Sequence, residues 1–292
     1  MLLAMAMSSC QRENKSKDDN SMDMNTKEKT TSKNGYAVVN GIKMYYEIYG
    51  EGKPLVLLHG GGSTIQSTFG RAIPLLASHR QLICIELQAH GRTGDREAAL
   101  SFEQDADDVA ALLKTLNIEK ADVFGFSNGG NTALQLAIRH PELCNKIIAG
   151  SILLKRDGTF PQFWEFMKKG TFEQMPVQYK EAFMKVNPDS VRLRVMYQKC
   201  ADRMNGFKDF PDEQIKSIKS PVLLINGNED VALPEHVVAM SRLIPDCKIA
   251  IVPGGHGEYF GEITTLKADY KDGDFIIPII EKFLDRSESG TN

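Results

Sequence analysis

One serine stands where a polypeptide could hold it as a nucleophile. Residues Gly125-Phe126-Ser127-Asn128-Gly129 follow a short apolar run that begins at Ala121, and a helical pattern starts directly after them. A serine hydroxyl attacks a carbonyl group only when the backbone holds it exposed beside a base and hydrogen-bond donors. A sharp strand-to-helix turn does this, and the glycines around Ser127 leave room for the crowded backbone. The spacing predicts a nucleophile, whereas the same short pattern alone also fits a glycine-rich connection without chemistry.

His256 is the predicted base among the six histidines. Imidazole suits this role because its ordinary pKa of about 6.5 lies close to working pH. The sequence Pro253-Gly254-Gly255-His256-Gly257 follows the last apolar strand, and its glycines let a loop carry the ring toward Ser127. We expect the remaining histidines at helix ends, in loops or on a helix: His59, His79, His90, His140 and His236.

Asp230 is the predicted acid that orients the base, with Glu229 as the alternative. Both follow the apolar strand that precedes the His256 strand. A carboxylate here fixes the imidazole tautomer and stabilises the imidazolium that forms in the reaction. The chain order Ser127, Asp230, His256 places each member just after its own strand, which favours a catalytic role over that of an ordinary turn aspartate.

Two backbone N–H groups are expected to bind the oxyanion. Asn128 follows the nucleophile at a helix N-terminus, where the helix dipole also favours negative charge. The second donor is predicted at Gly61, with Gly62 as the alternative, in the run that follows His59. Losing one such donor typically costs about 3–4 kcal/mol of transition-state stabilisation.

The elements that must position these residues alternate along the chain. Continuously apolar strands separated by helices predict a mostly parallel sheet covered on both faces, and Asn40-Gly41 predicts a hairpin at its start. The expected strands are 36–39, 43–49, 54–58, 82–85, 121–126, 146–149, 222–225 and 248–252. The expected helices are 101–116, 128–139, 235–243 and 276–284, with a further amphipathic stretch at 65–78.

The pattern predicts one α/β core formed by residues 36–152 and 218–288, interrupted by a helical cap at 153–217. The cap is rich in methionine and aromatic residues. Ligands of α/β sheets bind at the carboxyl edge of the strands, where such an insertion would lie. We therefore expect a small-molecule acyl substrate with an apolar or aromatic part.

The N-terminus resembles a bacterial lipoprotein signal, with an apolar stretch and small residues before Cys10. Residues 1–10 would form the signal segment, with Cys10 as the lipidated residue, and 11–35 a disordered polar tether. The resemblance implies a lipid anchor in the cell envelope. Met7 stands where such signals usually carry leucine, and no Lys or Arg precedes the apolar part. The alternative is a cytoplasmic protein with an incidental cysteine.

Composition excludes several other classes of protein. The formal charge of -3 offers no general attraction to nucleic acid, and no apolar run is long enough to span a bilayer. The five cysteines show no metal-site spacing, so we expect neither a metal nor a cofactor. The oligomeric state stays open.

Taken together, the chain resembles the α/β-hydrolase fold superfamily in its capped, single-domain esterase and lactonase-like branch. Glu86 and Gln88 depart from the Asp and Arg usual in that family, which we expect to affect loop packing rather than chemistry. The motifs that carry the resemblance are Leu57-Leu58-His59-Gly60-Gly61, His90-Gly91-Arg92-Thr93, Gly125-Phe126-Ser127-Asn128-Gly129, Gly227-Asn228-Glu229-Asp230 and Gly255-His256-Gly257.

The resemblance implies a serine hydrolase that cleaves a carboxylic ester, thioester or lactone through an acyl-enzyme on Ser127. An alternative is carbon–carbon bond hydrolysis or cofactor-free perhydrolysis with the same three residues. A third interpretation is a tethered binding protein without catalysis, although a binding protein has no need of a complete triad.

Overall fold

The computed structural model describes residues 33–266 and 273–286. Cys10, the predicted signal segment and most of the predicted tether lie outside these residues. Among the helices of the described part, none is long and apolar enough to cross a membrane.

Eight strands of the described chain form a single sheet in the order β1-β2-β4-β3-β5-β6-β7-β8. Strand β2 runs antiparallel to both of its neighbours, and the other neighbouring pairs are parallel. The expected mostly parallel sheet with a hairpin at one edge is confirmed. The strands are β1 (Lys33–Val39), β2 (Ile42–Tyr49), β3 (Lys53–Leu58), β4 (Arg80–Ile85), β5 (Ala121–Phe126), β6 (Cys144–Gly150), β7 (Val222–Gly227) and β8 (Cys247–Val252).

The opening hairpin turns at Asn40 and Gly41, which both adopt positive φ angles, 44° and 84°. Two-residue hairpin turns need this conformation, and Asn-Gly is the pair that adopts it most easily. Strand β1 begins at Lys33 rather than at 36, because Lys33 pairs with Ile48 of β2. Backbone pairing to β2 thus orders polar residues whose side chains gave no strand signal.

The helices cover both faces of the sheet. The amphipathic stretch at 65–78 divides into two short helices, since Pro74 lacks an N–H group and its ring clashes with a preceding carbonyl. The helices are α1 (Ile65–Phe69), α2 (Ala72–Leu76), α3 (Phe102–Thr115), α4 (Asn128–Arg139), α5 (Pro161–Lys169), α6 (Val177–Val186), α7 (Ser190–Asn205), α8 (Asp212–Lys216), α9 (Pro234–Leu243) and α10 (Gly273–Asp285).

Alternate residues of the central strands enter two separate cores. Val56 and Val123 face the core that contains residues of α3, α4 and α9. Leu57 and Phe124 face the opposite core, which contains residues of α1, α2 and α10. Because both faces are buried, these strands read as continuous apolar runs in the sequence.

Helices α5 to α8 stand between β6 and β7 as the cap. A small core of its own includes Phe183 and Met196, which are both fully buried. Helix α5 buries no residue completely, although it carries several large apolar side chains. Those side chains are thus available to form a wall over the sheet.

Candidate active site

Ser127 occupies a strained turn between β5 and α4. Its backbone has φ 53° and ψ -121°, a left-handed conformation that is uncommon outside glycine. The turn is possible because its neighbours lack side chains. A Cβ atom on Gly125 would lie 2.1 Å from the carbonyl oxygen of Gly129, and one on Gly129 would lie 2.1 Å from that of Leu58. The crowding explains the two glycines of the motif, and strain of this kind concentrates at functional sites.

Asn128 and Gly61 bring their backbone N–H groups to the same end of the site. Asn128 is the first residue of α4, and a Cβ atom on Gly61 would lie 2.3 Å from its side-chain amide nitrogen. Both residues line the cavity that Ser127 faces. Within the described residues, neither N–H group has a hydrogen-bond acceptor, so both are free to bind an oxyanion.

Gly62 is a different case, because its N–H group already has an acceptor. It donates to Nε2 of His90 at 3.1 Å, while Nδ1 of His90 lies 2.8 Å from the carbonyl oxygen of Gln88. This removes Gly62, the alternative oxyanion donor, and leaves Gly61. Burial, together with the nearby charge of Arg203, lowers the pKa of His90 to about 4, which keeps the ring neutral and able to accept.

His59 fixes the start of the same glycine loop. Its Nε2 accepts from the N–H of Leu87 at 3.0 Å, and Nδ1 lies 2.8 Å from the carbonyl oxygen of Gly60. The rings of His59 and His90 pack with centroids 4.8 Å apart. Burial and the neighbouring His90 hold the pKa of His59 well below its ordinary value. Two neutral histidines therefore tie the loop to the chain that follows β4.

His256 and Asp230 form the acid–base pair that the sequence predicts. Nδ1 of His256 lies 2.7 Å from Oδ1 of Asp230, which leaves Nε2 available to the cavity. Burial lowers the pKa of His256, but the charge and hydrogen bond of Asp230 outweigh it and raise the pKa above its ordinary value. The alternative acid, Glu229, is exposed to solvent, whereas Asp230 is buried.

Asp230 is held on both oxygens by donors, some of which sequence reasoning missed. Oδ2 accepts from the hydroxyl of Ser151 at 2.6 Å, and Oδ1 from the N–H of Val231 at 2.6 Å. The hydroxyl of Tyr259 lies 2.9 Å from that of Ser151. Burial raises the pKa of Asp230, but the charge of His256 and these hydrogen bonds bring it below its ordinary value. The available signal in the sequence was a serine directly after the apolar run of β6.

A cavity of about 450 Å³ lies between the sheet and the cap, and both Ser127 and His256 face it. Its wall is mainly apolar, and much of it comes from α5 and α7. The cap residues in this wall include Phe163, Phe166, Met167, Met175, Tyr197, Met204 and Phe207. A mainly apolar cavity therefore lies beside Ser127.

A buried carboxyl group lies close to His256. Glu262 is fully buried, and its N–H donates to the carbonyl oxygen of Gly257 at 3.1 Å. A Cβ atom on Gly257 would lie 2.8 Å from that of Glu262. Oε2 of Glu262 accepts from the N–H of Thr264 at 2.8 Å. Burial raises the pKa of Glu262, while its charge adds to the rise in the pKa of His256.

The remaining histidines lie away from this arrangement. Nε2 of His236 accepts from the N–H of Leu154 at 3.1 Å, and burial lowers its pKa to about 4. His140 pairs with Asp107 at 2.7 Å at the end of α4, and His79 is exposed. These positions leave His256 as the candidate base.

The two departures from the family pattern lie in a loop that supports the site. Glu86 accepts from the backbone and side chain of Arg92, at 2.6 and 2.7 Å. Gln88 donates to Asp95 at 2.8 Å. Neither residue lines the cavity.

The sequence pattern of the alpha/beta hydrolase fold family matches residues 53–196, which include Ser127 and the glycine loop. The sheet order and the nucleophile turn on α4 agree with that match. The chain has the α/β-hydrolase fold. The predicted lipoprotein signal, which concerns Cys10, lies outside the matched and described residues.

Curated relatives of this α/β-hydrolase are named as hydrolases. It is 24% identical over 234 residues to 2-hydroxy-6-oxo-6-(2'-aminophenyl)hexa-2,4-dienoic acid hydrolase of Metapseudomonas resinovorans, covering 73% of this chain and 80% of the relative. It is 26% identical over 263 residues to the human serine hydrolase BPHL, covering 80% of this chain and 84% of the relative. We conclude that this α/β-hydrolase is an enzyme.

A solved structure shows the same fold. The enol-lactonase from Burkholderia xenovorans LB400 superposes with a TM-score of 0.67 at 20% identity, covering 86% of this chain and 100% of that one. At this identity the likeness concerns the fold alone. The reaction of this α/β-hydrolase must therefore be argued from its own site.

Proposed function

We propose that the protein is a serine hydrolase that cleaves a carboxylic ester, thioester or lactone through an acyl-enzyme on Ser127. The 2.7 Å contact between His256 and Asp230, at a cavity that Ser127 also lines, carries this proposal. A serine hydroxyl becomes an effective nucleophile only beside a base, and the pairing with Asp230 lets His256 serve as one.

Each step uses a group with a defined place in the site. His256 takes the proton of the Ser127 hydroxyl as it attacks the substrate carbonyl, and the negative oxygen accepts from the N–H groups of Gly61 and Asn128. Protonated His256 then gives its proton to the leaving group. Water, activated by the same histidine, releases the acyl group and restores Ser127.

Labelling with a fluorophosphonate probe tests the nucleophile. We expect Ser127 to be labelled in the wild-type protein, and Ser127→Ala to lose both the label and all hydrolysis of activated short-chain esters. A folded wild-type protein that resists the probe and cleaves no such ester would overturn the proposal. A panel of p-nitrophenyl esters, thioesters and lactones then identifies the acyl bond.

Carbon–carbon bond hydrolysis is the second candidate, favoured by the relative that is named for a dienoic acid substrate. The same three residues also fit cofactor-free perhydrolysis. A purified protein that cleaves a vinylogous diketone faster than every ester in the panel would favour the first of these. Formation of peracid from acetate and hydrogen peroxide would favour the second.

A non-catalytic binding role has less support. Two N–H groups without an acceptor among the described residues line the cavity together with His256, which is paired with the buried Asp230, and binding alone requires none of these. Tight binding of an ester without turnover would favour that role.

For localisation, we propose that the chain is anchored to the cell envelope through a lipidated Cys10. The motif around Cys10 supports this proposal. We expect Cys10→Ser to release the protein from the membrane fraction or to block its processing. Wild-type protein in the cytosol with Met1 retained would contradict it.

A further inference from the structure

Among the residues that the structure describes, the wall of the cavity carries no acidic or strongly basic side chain. Of the described residues that line it, none is Lys, Arg, Asp or Glu, and His256 is already committed to Asp230. The other hydrogen-bonding side chains in the wall carry no formal charge; they include Asn131, Gln174 and Thr264. A ligand held here can find hydrogen bonds but no counter-ion.

One cation stands close behind the wall and is already engaged. Arg203 lies on α7, beside Met204, which does line the cavity. Its Nη1 pairs with Oδ2 of Asp105 at 2.6 Å, and both side chains are buried. Nε and Nη2 have no hydrogen-bond partner within the described part of the chain, and the guanidinium packs 4.8 Å from the ring of Phe102, outside the lining.

Two carboxyl groups lie behind His256. Asp230 is buried against His256, and Glu262 lies against the loop that carries the same ring. An anionic group in the cavity would meet the field of these carboxyls. It would also lose its hydration without gaining a partner, which is the most expensive form of burial.

We propose that this site takes uncharged acyl substrates and rejects substrates that carry a carboxylate beyond the scissile bond. The inference rests on the proposed serine-hydrolase function and names the substrate class of the same site. The relative named as a dienoic acid hydrolase has, according to that name, a substrate with an acid group. The inference therefore sets this protein apart from that relative.

Three p-nitrophenyl esters of matched size test the proposal. One is the half ester of adipic acid, with a free carboxylate at its far end. The second has that carboxylate methylated. The third has an isopropyl group in its place, which has nearly the same shape. We expect kcat/KM for the isopropyl ester to exceed that for the half ester by at least about 100-fold, with the methylated ester between them.

The outcomes separate this inference from the proposed function. Equal or faster turnover of the half ester overturns the inference and leaves the serine-hydrolase proposal intact. No turnover of any of the three esters, under conditions in which the protein is folded, overturns both.

Two variants of Met204 test whether the lack of a counter-ion causes the preference for uncharged substrates. Met204→Lys places a cation in the wall, and Met204→Gln is the matched polar control without charge. We expect Met204→Lys to raise the half-ester to isopropyl-ester ratio of kcat/KM by about 10-fold over Met204→Gln, since the added charge offsets part of the desolvation cost. The same ratio in both variants would show that the charge of the wall does not set the preference.

Discussion

The N–H group of Gly62 donates to Nε2 of His90 at 3.1 Å, and this contact leaves Gly61 as the candidate oxyanion donor. The sequence offers two consecutive glycines for that role. With Gly62 bound to His90, the free N–H group of the pair is that of Gly61. We therefore expect His90 to position the proposed oxyanion site, although it does not line the cavity.

Replacing His90 by alanine should lower kcat more than it raises KM. The loop would lose its tie to the chain after β4, and Gly61 would be less well placed in the transition state. We expect a loss of roughly 10- to 100-fold in kcat, below the full loss of an oxyanion donor. Steady-state kinetics on p-nitrophenyl butyrate would measure this, with circular dichroism to show that the variant is folded.

The exposed His79 provides the control for that variant. We expect His79→Ala to leave kcat unchanged. If His90→Ala is folded and retains wild-type kcat, the glycine loop does not depend on the histidine.

Replacing Ser151 should destabilise the protein. Two variants separate the loss of its hydrogen bond from the strain of its backbone. Ser151→Ala removes the hydroxyl that donates to Asp230 at 2.6 Å, which costs about 2 kcal/mol for a buried, charge-assisted hydrogen bond. Ser151→Gly removes the same hydroxyl but relieves the positive φ angle of 55°. We expect the glycine variant to be more stable than the alanine variant by about 1 kcal/mol. Urea unfolding of the three proteins measures both differences.

The same two variants test whether the left-handed backbone at Ser151 is strained. Equal stability of Ser151→Ala and Ser151→Gly would mean that the left-handed backbone stores no strain at this position.

The acid limb of the pH–rate profile should reflect His256. The base must be neutral to accept a proton, and its pKa is raised above 6.5 by Asp230. We therefore expect kcat/KM to fall as the pH drops through a value above 6.5. In Asp230→Asn the imidazolium loses its partner, so the inflection should move to lower pH while the plateau falls by roughly 10⁴-fold.

Glu262→Gln gives a milder test of the same electrostatics. The charge of Glu262 also raises the pKa of His256. We expect a smaller shift of the inflection in the same direction as in Asp230→Asn. A shift to higher pH in either variant would contradict this account.

Replacing Gly125 by alanine should prevent stable folding. The new methyl group would lie 2.1 Å from the carbonyl oxygen of Gly129, and neither backbone segment can move without distorting β5 or α4. We expect a loss of more than about 3 kcal/mol in the free energy of unfolding, or insoluble protein. Gly206→Ala, at the end of α7 with a negative φ angle, is the control and should cost little. A soluble Gly125→Ala variant with normal stability would show that the turn can relax.

Local sequence patterns determined much of this protein. Glycines around Ser127, continuously apolar strands and the order of Ser127, Asp230 and His256 each depend on residues close in the chain or on the period of burial. They predicted the sheet, the strand-to-helix turn and the acid–base pair without knowledge of distant contacts.

Tertiary structure decided the choices between neighbouring residues. Gly61 and Gly62 have the same chemistry, and only the packing of His90, far along the chain, occupies one of them. Asp230 and Glu229 are adjacent carboxylates, and only the fold buries one against His256. The uncharged wall of the cavity likewise arises where cap helices meet the sheet. These hydrogen bonds form between segments that are distant in sequence, and the same segments bury these side chains. No local sequence pattern therefore predicts them.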